Sequence, residues 1–462
     1  MEFTLPIEIE ECHKLIKEMF KRLEKLEREN ADLKELLNKN SNNSSQPPSI
    51  DKKKNNTTRK PSINPSGGQK GHNGHYRELI DEKEADKIVY CELPKNCSCG
   101  GEIVLKKDCL RHQVHELPEI KLEVTEYKLA RGKCSCCNKN HIASLPEGIT
   151  FGITGHRLTS LMSTLVSQYQ LSRRDLKNFL KEYLNFDLSL GTIFNKEKIV
   201  TKALETVVAN ILINIKKSPF IHSDETGHKR DGKKEWMWHI SSRKLAYFII
   251  LLSRGKKAMK SLIGDYKDTV ISDRYSVYNH FCSENRQFCW AHLKRDFVRL
   301  SEKKDKIIMD IGRQLLKETD KLFAKWHEFK AGHFAREWLI LGCSQIRKKI
   351  GELLEQASYT APELKAARFA KNLLDRFNAL WTFLYKEGVE PTNNQAERCL
   401  RKSVIWRKKY FGTRSETGDL FVSRTASVIT SCKLQFRNSS KYFADIVKNY
   451  FSKKDPPLLS EV

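Results

Sequence analysis

The chain has 462 residues, 39% of them hydrophobic. That is enough for sizeable cores, and at about 150 residues per domain it suggests roughly three domains. No run of 18 or more apolar residues occurs, which excludes a helical membrane span. The acidic start MEFTLPIEIEECHK lacks a signal-peptide core, so a cytoplasmic protein is expected. Eighty-three Lys and Arg against 57 Asp and Glu leave a formal net charge of +26. A polyanion is the default partner of such a chain, although charge alone leaves a merely basic surface open. Thirteen cysteines in a reducing compartment read as thiols or metal ligands rather than disulfides.

Residues 7–39, within an expected coiled-coil segment at 1–39, carry a heptad pattern. With Ile9 at position a, the a and d residues are Ile9, Cys12, Ile16, Met19, Leu23, Leu26, Asn30, Leu33 and Leu37. A buried Asn at an a position favours a two-stranded, in-register pair, and Arg22 with Glu27 and Glu29 with Lys34 would meet across a parallel dimer. A coiled coil joining a homodimer, or a higher oligomer, is expected. Residues 40–76, rich in Ser, Asn, Pro, Gly and Lys, cannot bury enough surface to fold alone and read as a disordered basic linker. Residues 77–150 form a small Cys module with strand-like stretches at 102–105 and 121–124. Residues 151–215 read as helices. The break at Asn185-Phe186-Asp187 and the N-cap candidate Ser189 resemble a helix-turn-helix.

From 216 the pattern turns to strands. Phe220–Asp224, Trp236–Ile240 and Leu245–Leu252 are three candidates, with a hairpin turn at Arg230-Asp231-Gly232 between the first two. A helix follows at Lys256–Ile263, then a strand at Thr269–Asp273. Helices fill 293–384 as an insertion, and 385–452 returns to the core. The predicted fold is therefore multidomain, α/β plus α. A ribonuclease-H-like mixed sheet would be built from 216–292 and 385–452.

Three acids stand in distinctive settings: Asp224 in HSDETG, Asp273 in ISDRYSVY and Glu397 in TNNQAERC. Two strand-end aspartates and a helical glutamate can gather carboxylate oxygens around one point, the setting hard cations such as Mg²⁺ prefer. Separations of 49 and 124 residues accommodate a hairpin and helix, then the insertion. All three side chains are expected to be ionised at neutral pH. Glu225 should face away from the other acids by strand alternation, whereas His222 shares the face of Asp224 and is a candidate supporting group. Cys289 and His292 are a second supporting pair; two ligands without further partners do not make a zinc site. Lys294, Arg295, Arg398, Arg401, Arg407 and Lys408 are candidate phosphate contacts, and Trp406 among them could stack on an unpaired base. Cys97, Cys99, Cys134 and Cys137 could hold one structural Zn²⁺.

HSDETG, ISDRYSVY, CWAHLKRDF, TNNQAERCLR and RKKYFGTRSETG together resemble the transposases of the insertion sequence 66 family. The resemblance runs over nearly the whole chain. It implies a DDE-type enzyme that cuts and joins transposon ends on double-stranded DNA. Asp224, Asp273 and Glu397 would be the catalytic triad, holding two Mg²⁺ or Mn²⁺ ions. It also implies a zinc-finger-like module, from which this sequence departs: Asn96 stands where the first knuckle thiol would be. A ribonuclease-H-like nuclease without joining activity, and a catalytically dead dimeric DNA-binding regulator, remain open beside it.

Overall fold

A computed structural model describes residues 8–44, 77–106, 109–150, 152–360 and 364–460, with 51, 71 and 74. Most of the expected linker at 40–76 lies outside the described residues. The chain is mixed α/β and falls into two units, Lys53–Glu123 and Met1–Lys52 with Val124–Val462. Among the described residues no helix is long and apolar enough to cross a membrane.

In the smaller unit the strand-like stretch at 102–105 makes no ladder, and neither does 121–124 at the boundary of the units. An isolated bridge between Asn96 and Glu102 closes the turn at Cys97–Gly101, and Val104 and Leu105 are exposed. Alternation supplies an apolar face, but a strand also needs a partner for its N–H and C=O groups. Here a side chain substitutes for one: the Gln113 amide accepts from Ile80 N–H at 3.0 Å and donates to Ile80 C=O at 2.9 Å.

The larger unit begins with the 30-residue helix α1 (Ile9–Asn38). Its heptad residues Ile9, Met19, Leu23, Leu26, Leu33 and Leu37 are exposed. Its far end is tied down by Glu35 to Lys303 at 2.8 Å. A short antiparallel hairpin, β1 (Arg131–Lys133) and β2 (Asn140–Ile142), follows. Four helices come next: α2 (His156–Ser167), α3 (Arg173–Leu184), α4 (Leu190–Ala203) and α5 (Glu205–Ile215). The predicted break is present. Asn185 ends α3 in the left-handed conformation (φ 47°), and Ser189 caps α4 by accepting from Thr192 N–H at 3.0 Å. α4 buries Ile193 and Val200 and leaves Phe194, Asn195 and Lys198 to solvent.

The sheet runs in the order β5-β4-β3-β6-β7. Its strands are β3 (Phe220–Arg230), β4 (Lys233–Ser241), β5 (Ala246–Leu251), β6 (Thr269–Ser272) and β7 (Arg286–Phe288), with α6 (Lys256–Ile263) between β5 and β6. β3, β4 and β5 form an antiparallel meander, and β6 and β7 run parallel to β3. The three strands, helix and strand expected from the sequence are all there, but β3 runs past Asp224 to Arg230, because the hairpin with β4 continues its pairing, so Asp224 lies within a strand rather than at its end; β7 is an addition, too short for a periodicity to register.

Alternation splits the strands between two cores. Ile221 and Val270 join α4–α6 and the C-terminal helices. Phe220, Ile271 and Phe288 join the insertion, which comprises α7 (Trp290–Ser301), α8 (Lys306–Lys330), α9 (Arg336–Thr360), α10 (Leu364–Leu374) and α11 (Thr382–Tyr385). Burial of each such side chain contributes about 1.5–3 kcal/mol. Gly312 lets α8 cross the end of α7 closely, since a Cβ there would lie 2.4 Å from Ser301 N. After the insertion come α12 (Asn394–Tyr410), α13 (Glu416–Leu434) and α14 (Ser439–Phe451). α13 covers the edge strand β5, and its Ser431 and Ser427 hydroxyls accept the outward N–H groups of Ala246 and Phe248, each at 2.9 Å.

Candidate active site

The parallel register sets Phe220 opposite Thr269, Ile221 opposite Val270 and His222 opposite Ile271. Carried two residues further, the same offset brings Asp224 beside Asp273, where neighbouring chains are about 4.8 Å apart. Each aspartate has one oxygen fixed by the backbone. Asp224 Oδ1 accepts from Glu225 N–H at 2.8 Å, and Asp273 Oδ1 from Tyr275 N–H at 2.9 Å. Neither Oδ2 has a protein hydrogen bond among the described residues.

The Asp224 carboxyl is pushed well above the usual range, first by burial, then by Glu225 and Asp273, with a smaller push from Glu397. Simple ionisation at neutral pH was expected, but burial and converging negative charge both disfavour it. A divalent cation would reverse both effects. Glu225 points to the opposite face, as alternation requires. There Arg254 meets its Oε1 through Nη2 and Nε, both at 2.6 Å, and Tyr278 OH donates to Oε2 at 3.3 Å. Arg254 is in turn held over the rings of Tyr275 and Trp236, at 4.1 and 4.9 Å.

Glu397 lies in the first turn of α12, and Asn393 fixes where that turn begins. An Asn at an N-cap ordinarily caps its own helix; this one reaches outward. Its Nδ2 donates to Ser223 C=O at 2.8 Å, and its Oδ1 lies 3.0 Å from His222 Nδ1. The amide orientation therefore makes Nδ1–H the donor of His222. Asn393 N–H donates to Cys289 Sγ at 3.1 Å, and Trp290 N–H to Pro391 C=O at 2.9 Å. One residue thus joins the part of β3 just before Asp224, the entry to α7 and the helix carrying Glu397. His222 and, beneath it, His239 are fully buried. Burial lowers them to about 4 and about 3, so both are neutral.

His292 Nδ1 faces Glu397 Oε1 at 3.7 Å. Arg286 is wholly buried and braces the loop after β6, donating through Nη2 to Asp273 C=O at 2.9 Å and through Nη1 to Asn279 Oδ1 at 2.7 Å.

The basic candidates divide. Lys294 pairs with Asp320 at 2.6 Å, and Arg407 donates to Gly227 C=O at 2.8 Å, so both are engaged within the protein. Arg295, Arg398 and Arg401 carry no ion pair or hydrogen bond among the described residues, and Arg398, Arg401 and Lys408 are exposed. Trp406 is a correction. It is 5% exposed and packs beside Tyr410, at 4.5 Å, and beneath Arg173, so it is not offered to a base. The exposed aromatic of this stretch is Phe411, 79% accessible and in the left-handed conformation (φ 58°) at the end of α12. The next residue, Gly412, packs on the β3–β4 hairpin so closely that a Cβ would lie 2.0 Å from Lys229 O.

Each Cys pair forms its own turn. In the smaller unit Cys97 is lowered mainly by hydrogen bonds from Cys99, backbone and thiol, and in the larger Cys134 by the backbone N–H groups of Cys137 and Cys136. Both turns favour a thiolate, as metal-binding knuckles do.

The family model for the transposase IS66 (insertion sequence 66) family matches residues 152–419, more than half of the chain. The chain belongs to that family. A second model, of a family of unknown function, matches residues 4–78. A Sinorhizobium fredii (strain NBRC 101917 / NGR234) protein, y4hP, described as uncharacterized, is 23% identical over 406 residues, covering 79% of this chain and 72% of that one. Transposase family membership implies DNA binding and transposition. In this transposase the sequence pointed to the acids but missed Asn393, Arg254 and Arg286. The first had a signal, a paired Asn before a helix. The other two are ordinary basic residues whose burial or stacking arises only in the fold.

Proposed function

We propose that this transposase cuts and joins its DNA ends on a ribonuclease-H-like core, with Asp224, Asp273 and Glu397 as the catalytic acids. The strand order, an antiparallel meander followed by a helix and two parallel strands, supports that core. The observation that carries the site is the β3–β6 register, which makes Asp224 and Asp273 neighbours while Asn393 fixes the start of the helix bearing Glu397. The free second oxygens of the aspartates and the unpartnered Glu397 Oε1 fit oxygen-seeking divalent cations. Asp224, Asp273 and Glu397 would hold two Mg²⁺ or Mn²⁺. When bound, such ions supply activation of the attacking oxygen and stabilisation of the leaving one.

The chain's own residues set the geometry. Backbone N–H groups orient the aspartates, Asn393 positions α12, and Arg254 neutralises Glu225 so that a fourth charge does not compete. Arg295, Arg398 and Arg401 supply uncommitted charge for phosphates. Phe411, with exposed Lys408, Lys409 and Arg414 nearby in the chain, offers the stacking surface first assigned to Trp406. α4 presents its open face to DNA in the helix-turn-helix manner, and α1 pairs two chains.

Duplex DNA carrying the element's ends tests this. With Mg²⁺ the wild type should nick at the ends and transfer the 3′-hydroxyl end to target DNA. Asp273→Asn should lower cutting by about 10²–10³ or more while binding persists. Undiminished cutting by Asp273→Asn would remove that residue from the mechanism, and cutting without joining would mark a nuclease.

A further inference from the structure

The sequence offered Cys289 and His292 as two metal-type ligands lacking a third. The fold supplies it. Cys289, His292 and Glu397 each place a ligand atom within 4.8 Å of the others'. His292 Nδ1 and Glu397 Oε1 are both shielded from solvent without a hydrogen-bond partner, and their 3.7 Å separation is too long for a hydrogen bond between them. Two polar atoms thus face each other across a gap, and a fully buried sulfur lies alongside.

The composition of this set is different from that of the aspartates. Sulfur, imidazole nitrogen and a single carboxylate oxygen suit Zn²⁺, whose tetrahedral sites draw on these three donors with bond lengths near 2.0–2.3 Å. Mg²⁺ takes oxygen and gains little from a thiolate. The charges also close: a thiolate, a carboxylate and a neutral imidazole around a dication sum to zero, which suits a half-buried pocket. The Asn393 N–H already directed at Cys289 Sγ is the kind of outer contact that orients a metal-bound thiolate. Three protein ligands leave a fourth position for water.

We propose that Cys289, His292 and Glu397 form a binding site for a thiophilic divalent cation, Zn²⁺, separate in chemistry from the Mg²⁺ site but sharing Glu397 with it. Binding displaces the Cys289 thiol proton to solvent as the sulfur–metal bond forms. Zn²⁺ would take Glu397 Oε1, the same unpartnered oxygen that the Mg²⁺ site calls on, so Zn²⁺ occupancy inhibits cutting and excess Mg²⁺ relieves it poorly. The ion site rests on geometry alone; its inhibitory consequence rests on the function proposed above.

The test uses the full chain. Co²⁺, a spectroscopic substitute for Zn²⁺, is titrated into wild type, Cys289→Ser and His292→Ala, and the thiolate-to-cobalt charge-transfer band is read by difference. This subtracts cobalt held by other cysteines. The expected result is loss of one ion per chain from the difference spectrum in Cys289→Ser, and weakening by more than about 100-fold, the upper range for mere outer-shell changes, in both variants. His292→Ala, at a partly exposed residue, guards against a Cys289 variant that fails to fold. Zn²⁺ added to the Mg²⁺-dependent cutting assay should inhibit the wild type, and His292→Ala should need about 100-fold more Zn²⁺ for the same fractional inhibition. Identical cobalt spectra in wild type and both variants would overturn the site even if the enzyme cuts DNA. A cobalt difference in a protein that never cuts would keep the site and overturn the proposed function. Site-specific zinc binding that leaves cutting unaffected would overturn the competition for Glu397.

Discussion

At the residue scale, Asn393 shows how a side chain outside the acids can govern them. Its three bonds, two to β3 and one to Cys289, hold the residue at which α12 starts, and it is 1% exposed. Asn393→Ala leaves the Ser223 carbonyl and the His222 N–H without partners, a loss of about 1–3 kcal/mol for each buried group. It also frees the first turn of α12. The expected outcome is a fall of about 10²-fold in the cutting rate with DNA affinity nearly unchanged. Asn393→Asp, which keeps the oxygen for His222, should recover part of the loss; equal damage from both substitutions would argue for general unfolding instead. The same neighbourhood predicts a pH dependence. His222 and His239 are held neutral with values of about 4 and about 3, against about 6.5 when unfolded. The unfolded chain therefore binds more protons than the folded one between those values, so stability falls as pH drops from about 6.5 towards 4. Asp224 and Glu225, both raised chiefly by burial, titrate with the opposite sign, so the histidine contribution is read as the difference in Tm slope between wild type and His239→Gln. The variant should lose less stability than the wild type as pH falls over that range, and equal slopes in the two would refute the account.

At the element scale, the edge of the sheet is closed by side chains rather than by another strand. An exposed edge invites pairing with other chains. Ser427 and Ser431, one helical turn apart on α13, meet Phe248 and Ala246, two residues apart on β5, because a helical turn of about 5.4 Å nearly matches two strand residues at about 6.8 Å. Ser431→Ala should cost about 1–3 kcal/mol by leaving the buried Ala246 N–H unpaired. Urea unfolding measures it, and a change below a few tenths would mean that the strand finds another acceptor. The element scale also explains the reading of 102–105 as a strand. Ile103, Val104 and Leu105 form a short apolar run, yet no neighbouring segment among the described residues supplies a ladder. The β3–β6 pair succeeded where that stretch failed because both strands bury apolar residues on two faces, which fixes their register.

At the scale of the whole molecule, the seam of α1 is solvent-exposed over Met19, Leu23, Leu26 and Leu33. A stripe of that length suits a second copy, and Asn30 at an a position favours two strands. Light scattering of the full chain should give twice the 53.7 kDa of one chain. Leu23→Glu with Leu26→Glu should return it to a monomer, with a weaker hold on DNA carrying paired ends. A wild type of single-chain mass would dispose of the pairing.

The sequence alone determined the helix-turn-helix break, the meander with its following helix and strand, and the local settings of Asp224, Asp273 and Glu397. These are encoded by short-range periodicity, caps and turns. Family membership was legible for a related reason, since ordered motifs survive as strings. Tertiary structure decided that Trp406 is core while Phe411 is surface, that Lys294 and Arg407 are already engaged, that Asn393 is the clamp, and that Glu397 joins Cys289 and His292. Each of these depends on which distant segment packs against a residue, and only the folded chain brings those segments together.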